Sequence, residues 1–387
     1  MTTKKHFTNI RFAYSTHLVF TLCFLSALCG YSFTQDFKQL HPGVEHAQVE
    51  HKIGADPVKI NLLRLDLTKV RLDVHHALDK AIGLETTSSI AKRKGAVAAI
   101  NAGFFRLDKS EFAGDNVGFL LIDRYLWSEP TMDRVAVGFT DRKGRTEVQI
   151  GRWSFAGYLR WKSRDNPNIL MGFNREVREN EVVVFTPEFG EPLPNGTDEI
   201  RVVVQKNRVI GSCSSPCGIP PNGFVLAGKG ERGEFLRQLR VKDKILFLWD
   251  TGPNSPRGRR PVEDAVAGVP QLIKNGKIDI TWELEKASRS FAETRHPRTA
   301  VAKLKDGKFL MMTVDGRQPG VSVGMTLQEL AEYLFSLGAV DAMNLDGGGS
   351  TTMFLDGNVV NKPSDPTGER KIGDAIVVTL RKSKARK

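Results

Sequence analysis

Short segments with alternating apolar and polar residues limit the folds that this chain can adopt. Residues 58–78 read VKINLLRLDLTKVRLDVHHAL, and their alternation predicts two strands joined near Thr68 and Lys69. Similar patterns predict further strands at residues 117–122, 134–139, 181–185, 200–211 and 245–249. Because helical patterns are few and do not alternate regularly with strands, we predict an α+β fold: a mixed, strand-rich sheet with a few flanking helices.

Two helices have sequence signals at both ends. The first is predicted from a cap near Thr87 to Gly95, and a buried strand at residues 96–100 follows it. The second begins with the capping box TLQE at residues 326–329 and ends at Gly338. Asp-Gly pairs between alternating segments predict two hairpin turns, at Asp306-Gly307 and Asp356-Gly357.

The first thirty residues have the composition of a secretory signal peptide. Lys4, Lys5 and Arg11 precede an apolar run at residues 18–28, and small residues follow it. A run of about a dozen apolar residues is shorter than the roughly 20 that a membrane-spanning helix needs. We therefore predict export to the periplasm or the extracellular space, with an uncleaved N-terminal membrane anchor as the alternative.

The chain is basic, with a formal net charge of +12. Part of this excess lies in the tail at residues 381–387, for which we predict a solvated terminus able to contact an anionic envelope surface. The sequence contains neither an aromatic-interleaved basic stripe nor a zinc-ligand spacing, which argues against nucleic acid as a partner.

Two cysteines lie outside the N-terminal segment, in the stretch CSSPC at Cys213 and Cys217. In an oxidising compartment, these cysteines are predicted to form a disulfide across a tight loop. A redox pair would have two intervening residues instead of three, and a metal site would need more ligands nearby.

The stretch NLDGGGSTT, residues 344–352, is a candidate ligand site. A strand delivers Asn344 and Asp346, and the glycines that follow let the backbone turn sharply and approach a ligand. The predicted substrate-binding residues in this stretch are Asn344, Gly347, Gly348, Ser350 and Thr351. The Gly-Lys-Ser/Thr ending of a nucleotide P-loop is absent. The alternative is a bulged hairpin connection in which Asp346 caps a turn.

Three further strand ends carry polar side chains. INAGFF presents Asn101 beside Gly103, RHPRTA presents Arg298, and TVDGRQPG presents Asp315. Taken separately, each has a simple explanation as a turn or a solvated surface charge. Together, two carboxylates and an arginine suffice to cleave a glycosidic bond to an anionic leaving group, because a carboxylate attacks or activates water while arginine stabilises the departing phosphate.

Four longer motifs resemble the signatures of the phosphodiester glycosidase family. In chain order they are AINAGFF, RHPRTAVA, MTVDGRQPGVSVGMTLQEL and GAVDAMNLDGGGSTTMFLDGNVVNKPSD. The resemblance implies a domain over residues 55–380, in which residues 150–260 are a possible insertion. It also implies hydrolysis of a sugar-1-phosphodiester to the free sugar and a phosphomonoester, at a site on the strand ends.

Roles follow for the residues that these motifs contain. We expect Asp346 to act as nucleophile or base, Asp315 to assist, and Arg298 to hold the phosphate. His296 beside this arginine is an alternative proton donor. The substrate-binding residues implied by the resemblance also include Asn101, Gly103, the glycines after Asp346, Thr351 and, in KPSDP, Asp365.

Two other classes of function fit the same residues. A noncatalytic module would bind phosphorylated glycans through the glycine-rich stretch and the arginine without cleaving them. A metal-dependent hydrolase would use Asp315, Asp346 and Asn101 as oxygen ligands for Ca²⁺ or Mg²⁺. The glycosidase hypothesis needs no cofactor, whereas the metal-dependent alternative needs a divalent cation. A sugar phosphate or phosphorylated glycan is the expected substrate or ligand.

Overall fold

The structure, a computed structural model, describes residues 35–382 except 132, 162–163, 167–170, 191, 215 and 254–260. The predicted signal peptide, residues 383–387 of the basic tail and the middle of the loop after residue 250 lie outside the described residues. Strands predominate in the described part, and short helices accompany them, as the sequence predicts. No helix within that part is long and apolar enough to cross a membrane.

Up to residue 185, the described part of the chain forms mainly strands, with one α-helix. The strands are, in chain order, β1 (Lys38–His41), β2 (Val44–Ile53), β3 (Asp56–Leu65), β4 (Val70–His76), β5 (Glu85–Thr86), β6 (Ala98–Asn101), β7 (Leu120–Ile122), β8 (Tyr125–Ser128), β9 (Val135–Arg142), β10 (Arg145–Trp161), β11 (Arg164–Asn166), β12 (Met171–Phe173) and β13 (Val182–Phe185). Helix α1 (Thr87–Arg93) lies between β5 and β6.

After residue 185, the described part of the chain adds three α-helices to a second set of strands. The strands are, in chain order, β14 (Ile200–Gln205), β15 (Arg208–Ser212), β16 (Gly223–Gly228), β17 (Ile245–Pro253), β18 (Asp264–Ala267), β19 (Gln271–Lys274), β20 (Lys277–Ile278), β21 (Arg298–Leu304), β22 (Phe309–Val314), β23 (Ala339–Asn344), β24 (Met353–Leu355), β25 (Asn358–Val359), β26 (Lys371–Ile372) and β27 (Asp374–Leu380). The helices are α2 (Gly230–Glu234), α3 (Arg289–Glu293) and α4 (Leu327–Ser336).

The strands are divided among several sheets. An eight-stranded sheet has the order β1-β2-β3-β22-β21-β23-β19-β20, and a seven-stranded sheet has the order β11-β10-β9-β18-β7-β8 with β17 paired to β10. Two five-stranded sheets have the orders β12-β13-β16-β14-β15 and β25-β24-β6-β27-β4; we call the second the C-terminal sheet. The sequence predicted one mixed sheet, but alternation along a strand defines its two faces and not its partners.

Most of the local predictions are confirmed. The pairs β3/β4, β21/β22 and β24/β25 flank the predicted turns, and α4 begins with the predicted capping box, in which the Glu329 N–H donates to Thr326 Oγ1 (3.1 Å). The segment predicted as one strand at 200–211 is a hairpin of β14 and β15. Its turn residues Lys206 and Asn207 both have positive φ, which a tight hairpin favours and which lysine does not signal in the sequence.

The predicted disulfide is present between Cys213 and Cys217, with a Cα–Cα distance of 5.6 Å. It closes a short loop after β15, and Cys217 forms a backbone bridge with Leu193. This backbone bridge ties the loop to the segment that precedes β14.

Both faces of the eight-stranded sheet are covered. One face packs against strands of the C-terminal and seven-stranded sheets, through buried residues that include Leu63, Met311, Met343, Ile100, Ile376 and Val137. The other face packs against α4, through buried residues that include Leu62, Ala300, Met312, Leu327, Leu330 and Leu334. The eight-stranded and C-terminal sheets are thereby held in contact through one core.

Strand ends from these two sheets meet at the glycine-rich stretch. In the eight-stranded sheet, β21 begins where β22 ends, and β23 ends beside the start of β21. In the C-terminal sheet, β24 and β27 begin near the end of β6. A backbone hydrogen bond from the Asp346 N–H to the Ala102 carbonyl (2.8 Å) joins the two groups of strand ends.

Candidate active site

Asn101, the last residue of β6, connects the two ends of the glycine-rich stretch. Its Nδ2 donates to the backbone carbonyl of Asp346 (2.7 Å), and its Oδ1 accepts from the Thr352 N–H (3.0 Å) and from Thr299 Oγ1 (2.8 Å). The residue is 1% exposed. The sequence predicted a substrate contact for Asn101, whereas the structure places its amide beneath the loop, where it fixes the loop's shape.

Gly347 and Gly348 are required by the close approach of neighbouring groups. A Cβ on Gly347 would lie 2.6 Å from the Pro297 carbonyl oxygen, to which the Gly348 N–H donates (2.9 Å). Gly348 has a φ of +59°, and a Cβ there would lie 3.1 Å from Nη2 of Arg317. These two glycines therefore admit groups of the protein itself, in addition to any ligand.

Gly349 makes room for the guanidinium of Arg370, which would collide with a larger side chain. Asp365 holds this arginine in place by accepting a hydrogen bond from its Nε (2.7 Å), and that bond keeps the pKa of Asp365 below its ordinary value. Asp365 was predicted to bind substrate. In the structure its carboxylate is paired with Arg370, so it reaches the loop only through that arginine.

Asp346 is half-buried and retains access to solvent. Burial raises its pKa to about 6, against the opposing effects of the Ser350 hydroxyl, the Gly347 backbone and the Arg370 charge. A carboxylate with this pKa is ionised at neutral pH and is more basic than an ordinary aspartate. These properties suit a nucleophile or a general base.

Asp374, the first residue of β27, is a second carboxylate that sequence reasoning missed. It is fully buried, and it accepts hydrogen bonds from the Gly103 N–H (2.6 Å) and from Asn116 Nδ2. Burial raises its pKa to about 7, those bonds oppose the shift, and the nearby charge of Asp346 adds to it. An aspartate before the apolar run AIVV resembles a turn residue in the sequence, so only packing reveals it.

Gly103 contacts this carboxylate instead of open space. A Cβ at Gly103 would lie 2.9 Å from both Asp374 Oδ2 and Asn116 Nδ2. The sequence predicted that the small residue admits substrate. The structure indicates that it admits the buried carboxylate of Asp374.

Arg298 is 1% exposed, and its guanidinium is turned towards backbone carbonyls. Nε donates to the Met325 carbonyl (2.8 Å), and Nη2 donates to the carbonyls of Phe291 (2.8 Å) and Thr294 (3.0 Å). Within the described residues, no carboxylate lies within 4.0 Å of it. Burial, together with the charge of Arg317, lowers the pKa of Arg298 to about 10. In the described part of the chain, no carboxylate pairs directly with this buried guanidinium, although the charge of Glu329 opposes the fall in its pKa.

Arg317 is a further cation that sequence reasoning treated only as part of a turn. It is exposed, and its Nη2 lies 3.5 Å from Nδ1 of His296. Burial lowers the pKa of His296, and the charges of Arg298 and Arg317 lower it further. The guanidinium groups of Arg317 and Arg370 both approach glycines of the glycine-rich stretch.

Asp315 is buried and has a different set of partners from Asp346. Its carboxylate accepts hydrogen bonds from Asn361 Nδ2 (3.1 Å) and from the Lys362 N–H (3.1 Å to each oxygen). It lines a cavity of about 340 Å³ together with residues of β2 and β3. Asn361 connects it indirectly to the glycine-rich stretch, because the same Nδ2 donates to the Thr351 carbonyl (3.0 Å). Burial raises the pKa of Asp315.

Comparison with known proteins relates this arrangement to a family. Residues 198–379 match the sequence profile described as phosphodiester glycosidase. Those residues belong to the phosphodiester glycosidase family. The matched region contains Arg298, Asp315, Asp346 and Asp374, and it begins inside the 150–260 segment that the motifs did not assign. Asn101 and Gly103 lie before it.

One curated relative has a name that, like the family description, refers to a phosphodiester and a glycosidase activity. The chain is 36% identical over 191 residues to N-acetylglucosamine-1-phosphodiester alpha-N-acetylglucosaminidase of Mus musculus, a match that covers 47% of this chain and 32% of the mouse protein. The chain thus matches about a third of the length of that relative.

Solved structures show that the fold extends beyond the matched family region. A Synechocystis protein has a TM-score of 0.74 at 24% identity, over 88% of this chain and 62% of that one. A protein of Burkholderia pseudomallei K96243 has a TM-score of 0.76 at 23% identity, over 84% of this chain and 75% of that one. At these identities the likeness concerns the fold alone.

The remaining predicted residues of the phosphodiester glycosidase region are buried. Asn344 Nδ2 donates to the Val269 and Leu345 carbonyls (2.7 Å each), so its amide supports the loop before β19. Ser350 and Thr351 are each 1% exposed, and Thr351 Oγ1 has no hydrogen-bond partner among the described residues. An unpaired buried hydroxyl is costly unless a water or ligand satisfies it.

In the part of the chain that the structure describes, no three His, Cys, Asp or Glu side chains form a group that could hold a metal ion. Of the predicted oxygen ligands, Asn101 supports the loop, Asp315 bonds to the segment at residues 361–362, and Asp346 retains access to solvent.

Proposed function

We propose that this chain hydrolyses the glycosidic bond of a sugar-1-phosphodiester and releases the free sugar and a phosphomonoester. The observation that carries the proposal is the position of Asp346, a half-buried carboxylate on a loop whose neighbours include cations without acidic partners in the described chain. Membership of residues 198–379 in the phosphodiester glycosidase family and the name of the mouse relative support the same reaction.

Asp346 performs the central step. As an ionised carboxylate it either attacks the anomeric carbon or removes a proton from the water that attacks it, and the bond between that carbon and the phosphate oxygen breaks. The bonding electrons leave with the phosphate group. If Asp346 attacks, water then hydrolyses the glycosyl ester on Asp346, which releases the free sugar and restores the carboxylate. Because a phosphate is already a good leaving group, the reaction needs less help from a general acid than an ordinary glycoside does.

The other groups act on charge and position. Arg298 supplies a buried positive charge beside the leaving phosphate, which favours the departure of an anion. Asp315 assists by positioning Asn361. Its carboxylate accepts a hydrogen bond from Asn361, and Asn361 in turn donates to the Thr351 carbonyl. Asp374 is neutral below a pH of about 7 and adds negative charge beside Asp346 above it.

The substrate is an envelope or extracellular glycan that carries a sugar-1-phosphodiester. The signal-like N-terminus predicts that the protein meets such glycans after export. The basic tail at residues 381–387 would bring the protein to anionic envelope surfaces.

Hydrolysis of a p-nitrophenyl sugar-1-phosphodiester in ¹⁸O-labelled water tests the proposal. Cleavage of the glycosidic bond places the label on the released sugar and produces p-nitrophenyl phosphate, which stays colourless until a phosphatase is added. Cleavage at phosphorus would place the label on phosphate and would identify a phosphodiesterase instead. Binding of a panel of such diesters without turnover would identify a noncatalytic module.

A further inference from the structure

The two arginines beside the glycine-rich stretch differ in what their guanidinium groups can still bind. Arg298 is buried, and its Nε and Nη2 already donate to three backbone carbonyls. Its Cζ also lies 4.9 Å from the ring centroid of Phe291. To be held by Nε and Nη2 together, an incoming phosphate would have to replace the backbone carbonyls that these nitrogens bind. Arg298 is therefore poorly placed for a two-point contact.

Arg317 differs from Arg298 in its surroundings. It is exposed, and no carboxylate lies within 4.0 Å of its guanidinium in the described ranges of the chain. Among the described residues, its guanidinium comes within hydrogen-bond range of one side chain, His296, whose Nδ1 lies 3.5 Å from Nη2, at the limit of a hydrogen bond. A planar guanidinium without a partner can bind two oxygens of one phosphate.

Two other arginines near the glycine-rich stretch are paired with carboxylates. Arg295 is paired with Glu329 (2.6 Å) and Asp56 (2.7 Å), and Arg370 is paired with Asp365 (2.7 Å). Each of these cations is therefore neutralised within the fold. In the described part of the chain, no carboxylate pairs with Arg317. Its charge lowers the pKa of both Arg298 and His296.

The backbone holds Arg317 over the loop. Its φ is +60°, a left-handed conformation that costs a non-glycine residue about 1 kcal/mol or more unless the surroundings enforce it. On one side, Gly316 packs against Pro297, to which a Cβ would come within 2.7 Å. On the other side, Gln318 bonds to the Ser322 backbone (3.0 Å). The guanidinium thereby reaches Gly348, two residues after Asp346.

We propose that Arg317 is the residue that contacts the phosphate group of the substrate, and that Arg298 is a positioning residue that adds charge from behind the loop. This inference rests on the proposed function for the identity of the diester, but the binding of phosphate itself does not depend on turnover. The same subsite would hold the phosphate of the released phosphomonoester. Inorganic phosphate would compete with both.

Phosphate binding in Arg317→Gln tests the inference. We expect inorganic phosphate, titrated calorimetrically, to bind about 10- to 100-fold more weakly to this variant than to the wild-type chain, because one charge-assisted two-point contact is lost. Arg317→Lys keeps the charge without the fork and should fall between them. The matched control is Arg142→Gln, which removes an exposed arginine at the end of β9 and should bind phosphate as the wild type does.

A second experiment tests whether the same subsite binds the phosphate group of the substrate. In an Asp346→Asn background, which prevents turnover, a sugar-1-(methyl phosphodiester) should lose affinity on Arg317→Gln by a factor similar to that of inorganic phosphate. Loss for inorganic phosphate alone would show that the arginine binds free anion only, and would overturn the assignment. Unchanged phosphate affinity in Arg317→Gln, or no phosphate binding by the wild type, would overturn it as well. Failure of the wild type to cleave any diester would instead count against the proposed function.

Discussion

Among the aspartates with raised pKa values, two groups at different places in the fold differ in their access to solvent. Asp346 and Asp374 lie where strand ends of two sheets meet, and their pKa values rise to about 6 and about 7. Asp264 in β18 also has a pKa raised to about 7 by burial, and the nearby charge of Asp73 adds to the shift.

The surroundings of Asp264 are closed. It is 3% exposed, and its two oxygens accept hydrogen bonds from the N–H groups of Val74 (3.0 Å) and Asp123 (2.7 Å). Its carboxylate thus serves the packing of β4 against β18. The comparison teaches that a raised pKa reports burial, and that solvent access and unneutralised cations distinguish a candidate catalytic carboxylate from a structural one.

The largest expected effect separates the two groups by activity. We expect Asp346→Asn to lower kcat by about 1,000-fold or more, because the amide can neither attack carbon nor accept a proton. Asp264→Asn should change kcat by less than about twofold. Steady-state kinetics on a sugar-1-phosphodiester, with circular dichroism to confirm folding, measures both. Equal losses in the two variants would refute the distinction.

The second largest expected effect concerns the free energy of unfolding and tests the structural role of Asp264. A folded-state pKa of about 7, raised from 3.8, means that the native protein binds this proton more tightly than the unfolded chain does. Asp264 therefore stabilises the fold fully below about pH 4, and that contribution is lost as the pH rises to about 7. Asp264→Asn should shrink the difference in unfolding free energy between pH 4 and pH 8 by about 2–4 kcal/mol. Urea titrations at both pH values measure it, and an undiminished difference would contradict the assignment.

A smaller effect tests the coupling of Asp346 with Asp374. We expect kcat/KM to rise with pH through about 6, as Asp346 ionises, and to fall through about 7, as a second negative charge forms beside it. Because the Asn amide resembles the neutral acid, Asp374→Asn should keep kcat/KM near its maximum and abolish the fall at higher pH. A pH profile with both limbs intact in the variant would show that Asp374 has only a structural role.

The smallest expected effect concerns metal. We expect dialysis against EDTA to leave kcat/KM unchanged, because in the proposed reaction Arg298 and Arg317 stabilise the leaving phosphate. Loss of activity that Ca²⁺ or Mg²⁺ restores would instead support the metal-dependent alternative. The chelator should also leave the pH dependence of unfolding unaltered.

Local features of the fold were predictable from the sequence. The capping box at Thr326, the two Asp-Gly hairpins and the Cys213–Cys217 disulfide depend on residues within a few positions of one another. Short-range hydrogen bonding, turn conformation and chain geometry determine such features, so the order of residue types predicts them. The motif around Asp346 was recognisable for the same reason, because its residues are contiguous.

The roles within the site depended on contacts between distant parts of the chain. Asn101 reaches the Asp346 carbonyl across 245 positions, and the Gly103 N–H reaches Asp374 across 271 positions. No periodicity encodes those pairings, nor the burial that raises the pKa values of the two aspartates. By itself the sequence determined which groups are available and which local turns carry them. Only the tertiary structure decided that Arg298 is enclosed while Arg317 is open, because desolvation and long-range hydrogen bonds exist only once the sheets have packed.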